Sequence, residues 1–156
     1  DLNQIRYYVT TEVKDSSVDL SRSPRSPATA QSSTAGRRVL VVEDEAIIAI
    51  DMAAALEDAG FCVVGPVGSV YEAMKLLDEQ VCDCAVLDIN LAGETSAPLA
   101  SRLLTSEIPF VTVSGNTQES ITEEFSQSPF LSKPIVTSKL LSKLSTILRE
   151  PDHVVS

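Results

Sequence analysis

Arg38-Val39-Leu40-Val41-Val42-Glu43-Asp44-Glu45 is the stretch that decides the fold. Four consecutive apolar residues, Val39 to Val42, suit a strand buried on both faces, as in a parallel sheet. An acidic run ends the strand. Ile48, Met52, Ala55, Leu56 and Ala59 then recur at helical spacing, up to a stop at Gly60. The alternation continues in both position and kind. Cys62-Val63-Val64 predicts a second strand, and Ser69 can cap a helix bearing Val70, Ala73, Met74 and Leu77. Cys84-Ala85-Val86-Leu87 predicts a third strand ending at Asp88. Thr95 or Ser96 opens the next helix, with Pro98 in its first turn. Phe110-Val111-Thr112-Val113 and Phe130-Leu131 predict strands four and five. The polar stretch 117–127 between them predicts only a weak helix, the least stable element, with Ile121 and Phe125 to bury. Leu140, Leu141, Leu144, Ile147 and Leu148 mark the last helix, and Pro151 lies just beyond it.

Strands alternating with helices imply an α/β fold with a parallel sheet covered on both faces and right-handed crossovers. In such sheets the active site lies outside the carboxyl ends of the strands. The residues there are Glu43-Asp44-Glu45, Asp88-Ile89-Asn90, Ser114-Gly115 and Lys133-Pro134. Three clustered carboxylates, Glu43, Asp44 and Asp88, raise one another's pKa unless a cation sits among them. Oxygen donors of this kind suit Mg²⁺. With that charge offset, Asp88 can act as a nucleophile toward a phosphoryl group. Lys133 supplies a point charge for a phosphoryl oxygen, and the Ser114 hydroxyl can donate to another. Glu45 reads as an ordinary acidic residue of a helix first turn.

Glu43-Asp44, Asp88, Ser114 and Lys133-Pro134, in this order and at these strand ends, resemble the response-regulator receiver domain of two-component signalling. The resemblance covers roughly residues 37–150 and extends to receivers within hybrid histidine kinases. It implies a flavodoxin-like, doubly wound five-stranded sheet of order 2-1-3-4-5. It implies an aspartyl phosphate on Asp88, and Mg²⁺ held by Glu43, Asp44, Asp88 and the backbone carbonyl of Asn90. Ser114 and Lys133 then bind the phosphoryl group, and Phe130 matches a switch aromatic that moves on activation. The implied donor is a histidine kinase or phosphotransfer protein, and the implied location is the cytoplasm. Catalysis is confined to the chain's own phosphorylation and dephosphorylation, so it is not an enzyme in the wider sense. One departure stands out. Receivers often carry Pro four residues after the phosphoacceptor, and here Ala92 predicts a different path for Leu91–Glu94.

Residues 1–36 read as an extension, with a strand over 5–13 and a Ser/Pro-rich linker from Asp15 to Gly36 that has little to bury. Residues 151–156 read as a tail. Opening on Asp1 rather than Met suits a piece of a longer protein. The 156-residue chain has a net charge of −10. All of that excess lies from Arg37 onward, which disfavours direct contact with nucleic acid or anionic membranes. No apolar run approaches the ~18 residues a membrane span needs. Cys62, Cys82 and Cys84 have no zinc spacing and read as reduced, mostly buried thiols. A homodimer stays open. Three rival functions remain. A pseudo-receiver scaffold would not need the intact acidic set. An aspartate-nucleophile phosphatase usually carries a second Asp where this chain has Asn90. A flavodoxin would need a phosphate cradle where Glu43-Asp44-Glu45 would repel phosphate.

Overall fold

Side chains alternate across a pleated strand, so a strand buried on both faces feeds two cores at once. Strand β1 (Arg38–Val42) does this: Leu40 and Val42 enter one core, Val39 and Val41 the other. Each apolar run thereby fixes the sheet between two helical layers. The computed structural model describes residues 34–115 and 121–149. The readings made of residues 1–33, including the 5–13 strand, and of the tail lie outside them.

After β1 come α1 (Ala46–Asp58), β2 (Cys62–Val67), α2 (Val70–Glu79), β3 (Cys84–Asp88), β4 (Asn90–Leu91), β5 (Glu94–Thr95) and α3 (Ala97–Thr105). The chain then forms β6 (Phe110–Ser114), α4 (Glu123–Ser126), β7 (Phe130–Ser132) and α5 (Thr137–Leu148). The main sheet is parallel, in the order β2-β1-β3-β6-β7. By position this is the expected 2-1-3-4-5. Met52, Leu56, Leu140, Leu144 and Leu148 of α1 and α5 close one face. Ala73, Leu99, Leu103 and Phe125 of α2, α3 and α4 close the other.

Local signals behave as their chemistry dictates. Gly60, at φ 100°, ends α1. Its N–H reaches Glu57 O at 3.0 Å and the Phe61 N–H reaches Leu56 O at 3.0 Å, a Schellman pair. Ser69 accepts from the Glu72 N–H at 3.1 Å and caps α2. The Gly36 N–H donates to Gly60 O at 2.8 Å.

Three expectations need correction. Strand β2 runs on past Val64 to Val67, across a register shift opposite Leu40 and Val42. The 117–127 helix is four residues long, Glu123–Ser126; Phe125 is buried but Ile121 is exposed, and 116–120 lie outside the described residues. The cysteines, by contrast, are mostly buried as expected: Cys82 and Cys84 are buried and Cys62 is exposed. Burial pushes the Cys84 thiol up to about 12 and raises that of Cys82. Finally, the Ser96 hydroxyl does not cap α3. It is fully buried and donates to the carbonyls of Asp88 at 2.6 Å and Ile89 at 3.1 Å, tying the helix start to the end of β3.

The different path expected after Asp88 is a small antiparallel hairpin. Asn90 pairs with Thr95 and Leu91 with Glu94. The two-residue connection Ala92-Gly93 has φ of 55° and 89°, the positive values a type I′ turn requires at both positions. Proline, locked near φ −65°, cannot occupy the place of Ala92. Alanine is itself disfavoured there by Cβ–carbonyl crowding. Ala92→Gly is therefore expected to raise stability by about 0.5–1 kcal/mol, as a shift in the denaturant midpoint at constant slope.

Candidate functional site

The carboxyl ends of β1, β3 and β6 and the turn after β7 meet because the register puts Val42 beside Leu87, Asp88 beside Val113 and Ser114 beside Ser132. Glu43 follows β1 and is 2% exposed; Asp88 closes β3 and is 4% exposed. Asp44 stands open to solvent beside them. Carboxylate oxygens of Glu43, Asp44 and Asp88 lie within 4.8 Å of one another.

Lys133 answers this negative charge. Its Nζ donates to Asp88 Oδ2 at 2.7 Å, Glu45 Oε1 at 3.0 Å and Glu43 Oε2 at 3.2 Å. Glu43 Oε1 is also 2.9 Å from Nζ, but without hydrogen-bond geometry, and it is buried with no other partner. Glu43 Oε2 accepts the Glu45 N–H at 2.9 Å, and Asp88 Oδ1 accepts the Asn90 N–H at 3.1 Å. Burial pushes the Glu43 carboxyl upward and Asp88 adds to this; the Glu45 N–H and Lys133 oppose it. Burial alone would lower the Lys133 ammonium. Hydrogen bonds to Asp88, Glu43 and Glu45 outweigh it, and Lys133 ends above its ordinary value. Lys133 therefore stays charged at neutral pH.

The structure thus gathers Glu43, Asp44, Asp88 and Lys133. Ser114, 1% exposed, is at the same rim, its carbonyl accepting the Lys133 N–H at 2.9 Å. The Asn90 side chain turns to the hairpin instead, its Oδ1 accepting the Gly93 N–H at 2.8 Å. Phe130 is 39% exposed and lines a groove with Val136, Lys139 and Lys143 rather than the acidic pocket. Glu45, read from sequence as a first-turn helix residue, is instead the third carboxylate on Lys133. The signal that could have revealed it is the third acid of the run after β1. Three carboxylates, one with a buried oxygen lacking a hydrogen bond, fit a hard divalent cation such as Mg²⁺.

The chain is similar in sequence and fold to known proteins. Residues 39–145 match the response regulator receiver domain. The transcriptional regulatory protein PdtaR of Mycobacterium tuberculosis is 29% identical over 119 residues, 74% of this chain and 58% of its own length. The phyllosphere-induced regulator PhyR of Methylorubrum extorquens is 31% identical over 114 residues, 70% of this chain and 43% of its own. The chain spans about half the length of the curated relatives it matches. The solution structure of SdrG from Sphingomonas melonis Fr1 superposes with a TM-score of 0.66 at 34% identity, covering 76% of this chain and 99% of that one. Among the described residues no helix is long and apolar enough to cross a membrane. Sheet order, acidic edge and sequence match converge on one assignment: the chain belongs to the response regulator receiver domain family of two-component signalling.

Proposed function

We propose that this receiver takes a phosphoryl group on Asp88 from a phosphohistidine of a histidine kinase or phosphotransfer protein. The carrying observation is the contact of Lys133 Nζ with Asp88 Oδ2 at 2.7 Å inside the acidic trio. Glu43, Asp44 and Asp88, with the Asn90 carbonyl, would hold Mg²⁺, which supplies positive charge against the phosphoryl oxygens. An Asp88 carboxylate oxygen bonds to phosphorus as the phosphorus–nitrogen bond to the donor imidazole breaks. The electron pair stays on that nitrogen. Lys133 turns from Asp88 to a phosphoryl oxygen, and the Ser114 hydroxyl donates to another. Phe130 and the groove beside it respond, which alters partner binding. The chain's catalysis is limited to gain and loss of its own phosphate. Its working place is the cytoplasm, residues 37–150 are the receiver, and 1–36 are an extension it does not need.

The test is intact mass after incubation with acetyl phosphate and Mg²⁺. The chain, and a form lacking residues 1–36, are expected to gain one phosphoryl group. Asp88→Asn and a chelated sample are expected to gain none. Label surviving in Asp88→Asn excludes Asp88 as the acceptor. The phosphatase alternative finds no support at Asn90, which is an amide engaged with Gly93.

A further inference from the structure

Glu45 sits at the N-cap of α1, where a capping side chain accepts a backbone N–H of the first turn. It makes no such bond. Its carboxylate turns to Lys133, with Oε1 at 3.0 Å from Nζ. The Glu45 side chain is 59% exposed and that of Lys133 14%, whereas Glu43 and Asp88 grip the same ammonium from the buried side. Lys133 is thus held between an inner pair of acids and an outer one. An incoming phosphoryl group must attract this ammonium away from its present partners. Asp88 gives up its claim when its oxygen bonds phosphorus. Glu45 reacts with nothing and keeps its negative charge throughout.

Resting on the phosphoacceptor reading of Asp88, we propose that Glu45 is a positioning residue that competes with the phosphoryl group for Lys133 and so restrains phosphoryl uptake from anionic donors. Two effects act in the same direction. Glu45 holds the ammonium toward solvent, and its charge repels the donor at the mouth of the pocket. Both are electrostatic and partly solvent-exposed, so both weaken as salt screens them. A role confined to the helix start would act on stability and leave the uptake rate unchanged at either salt.

The test measures the rate constant of uptake from acetyl phosphate with saturating Mg²⁺, at low and at 0.5 M ionic strength (about 0.5 M, where the Debye length is only about 4 Å). Glu45→Gln is expected to raise the rate about 3- to 10-fold at low salt, with the gain shrinking at high salt. Glu45→Asp restores the charge and is expected to fall back most of the way toward the parent chain. A Gln variant no faster than the parent at low salt, or faster by the same factor at both salts, overturns the inference while leaving Asp88 as acceptor. Asp88→Asn is run in parallel. No uptake by the parent, or uptake that persists in this variant, overturns the acceptor reading and the inference with it. The ¹⁵N signal of the Lys133 ammonium is a readout independent of phosphate. It is expected to move in Glu45→Gln and to return toward its original position in Glu45→Asp; an unmoved signal removes the contact on which the inference stands.

Discussion

Lys133→Ala is expected to cost about 3 kcal/mol of folding stability in chelator, with much of the loss recovered on adding Mg²⁺. The side chains of Glu43 and Asp88 are almost wholly buried, and Lys133 is their shared counter-ion. Removing one member of a buried charge group leaves the others without solvent and without a counter-ion. The pH dependence has a definite sign. The folded Glu43 carboxyl already lies above its ordinary 4.5, chiefly through burial, and Lys133 is one of the groups holding it down. Without Lys133 it rises further. A carboxyl raised on folding contributes stability in full below its unfolded pKa and loses it as pH rises through the folded value. Lys133 itself is raised, so its contribution is complete below 10.5 and is lost only as pH climbs through its folded value. The deficit of the variant should therefore be smaller near pH 4.5, where only the part owed to Lys133 itself remains, and grow toward neutrality as Glu43 ionises. Urea melts at acid and neutral pH, each with and without Mg²⁺, check this. A deficit larger in acid, or one indifferent to Mg²⁺ at neutral pH, would contradict it.

Leu87→Ala should be of similar size for an unrelated reason. Leu87 is fully buried in β3, the central strand, paired with Val42 on one side and Thr112 on the other. Truncation leaves a cavity that two neighbouring strands and a helical layer cannot close, at about 3–4 kcal/mol. The expected fall in Tm is about 10–20 °C. Ile50→Ala, on the exposed side of α1 at 62% exposure, is expected to change stability by no more than about 0.5 kcal/mol. Thermal melts followed by circular dichroism compare the two directly. Equal effects would mean that the core is not divided as described.

These two substitutions also mark how far the sequence could be read. Leu87 belongs to a run of apolar residues with no other sensible home, and such runs made β1, β3 and β6 legible. With the strands placed, Glu43, Asp44, Asp88, Ser114 and Lys133 had to converge, since parallel strands put all their carboxyl ends on one edge. What stayed hidden has local causes. The Asn90–Thr95 hairpin has strands of two residues and an alanine in a left-handed turn, which no propensity suggests. Glu45 had a sufficient explanation in the helix start, which masked the one signal for its bond to a lysine 88 positions away, its place as the third acid of the run after β1. Ser96 reads as a helix cap, whereas burial turns its hydroxyl to the carbonyls of Asp88 and Ile89. Strand β2 extends through Gly65-Pro66, residues that ordinarily end a strand, because an edge strand tolerates them.

That interruption of β2 bears on how copies of this domain behave at high concentration. An open sheet has two rims, and each is a template onto which another chain's strand can add. Here the rims are β2 and β7. Pro66 has no N–H to offer an incoming strand, and the register shift beside it breaks the regular spacing that a long foreign ladder would need. At the other rim β7 is only three residues long, too short to recruit a strand by backbone bonding alone. The domain therefore resists runaway sheet growth at both rims through its backbone, without relying on the repulsion of its negative surface. Salt can screen that surface charge while leaving this protection in place.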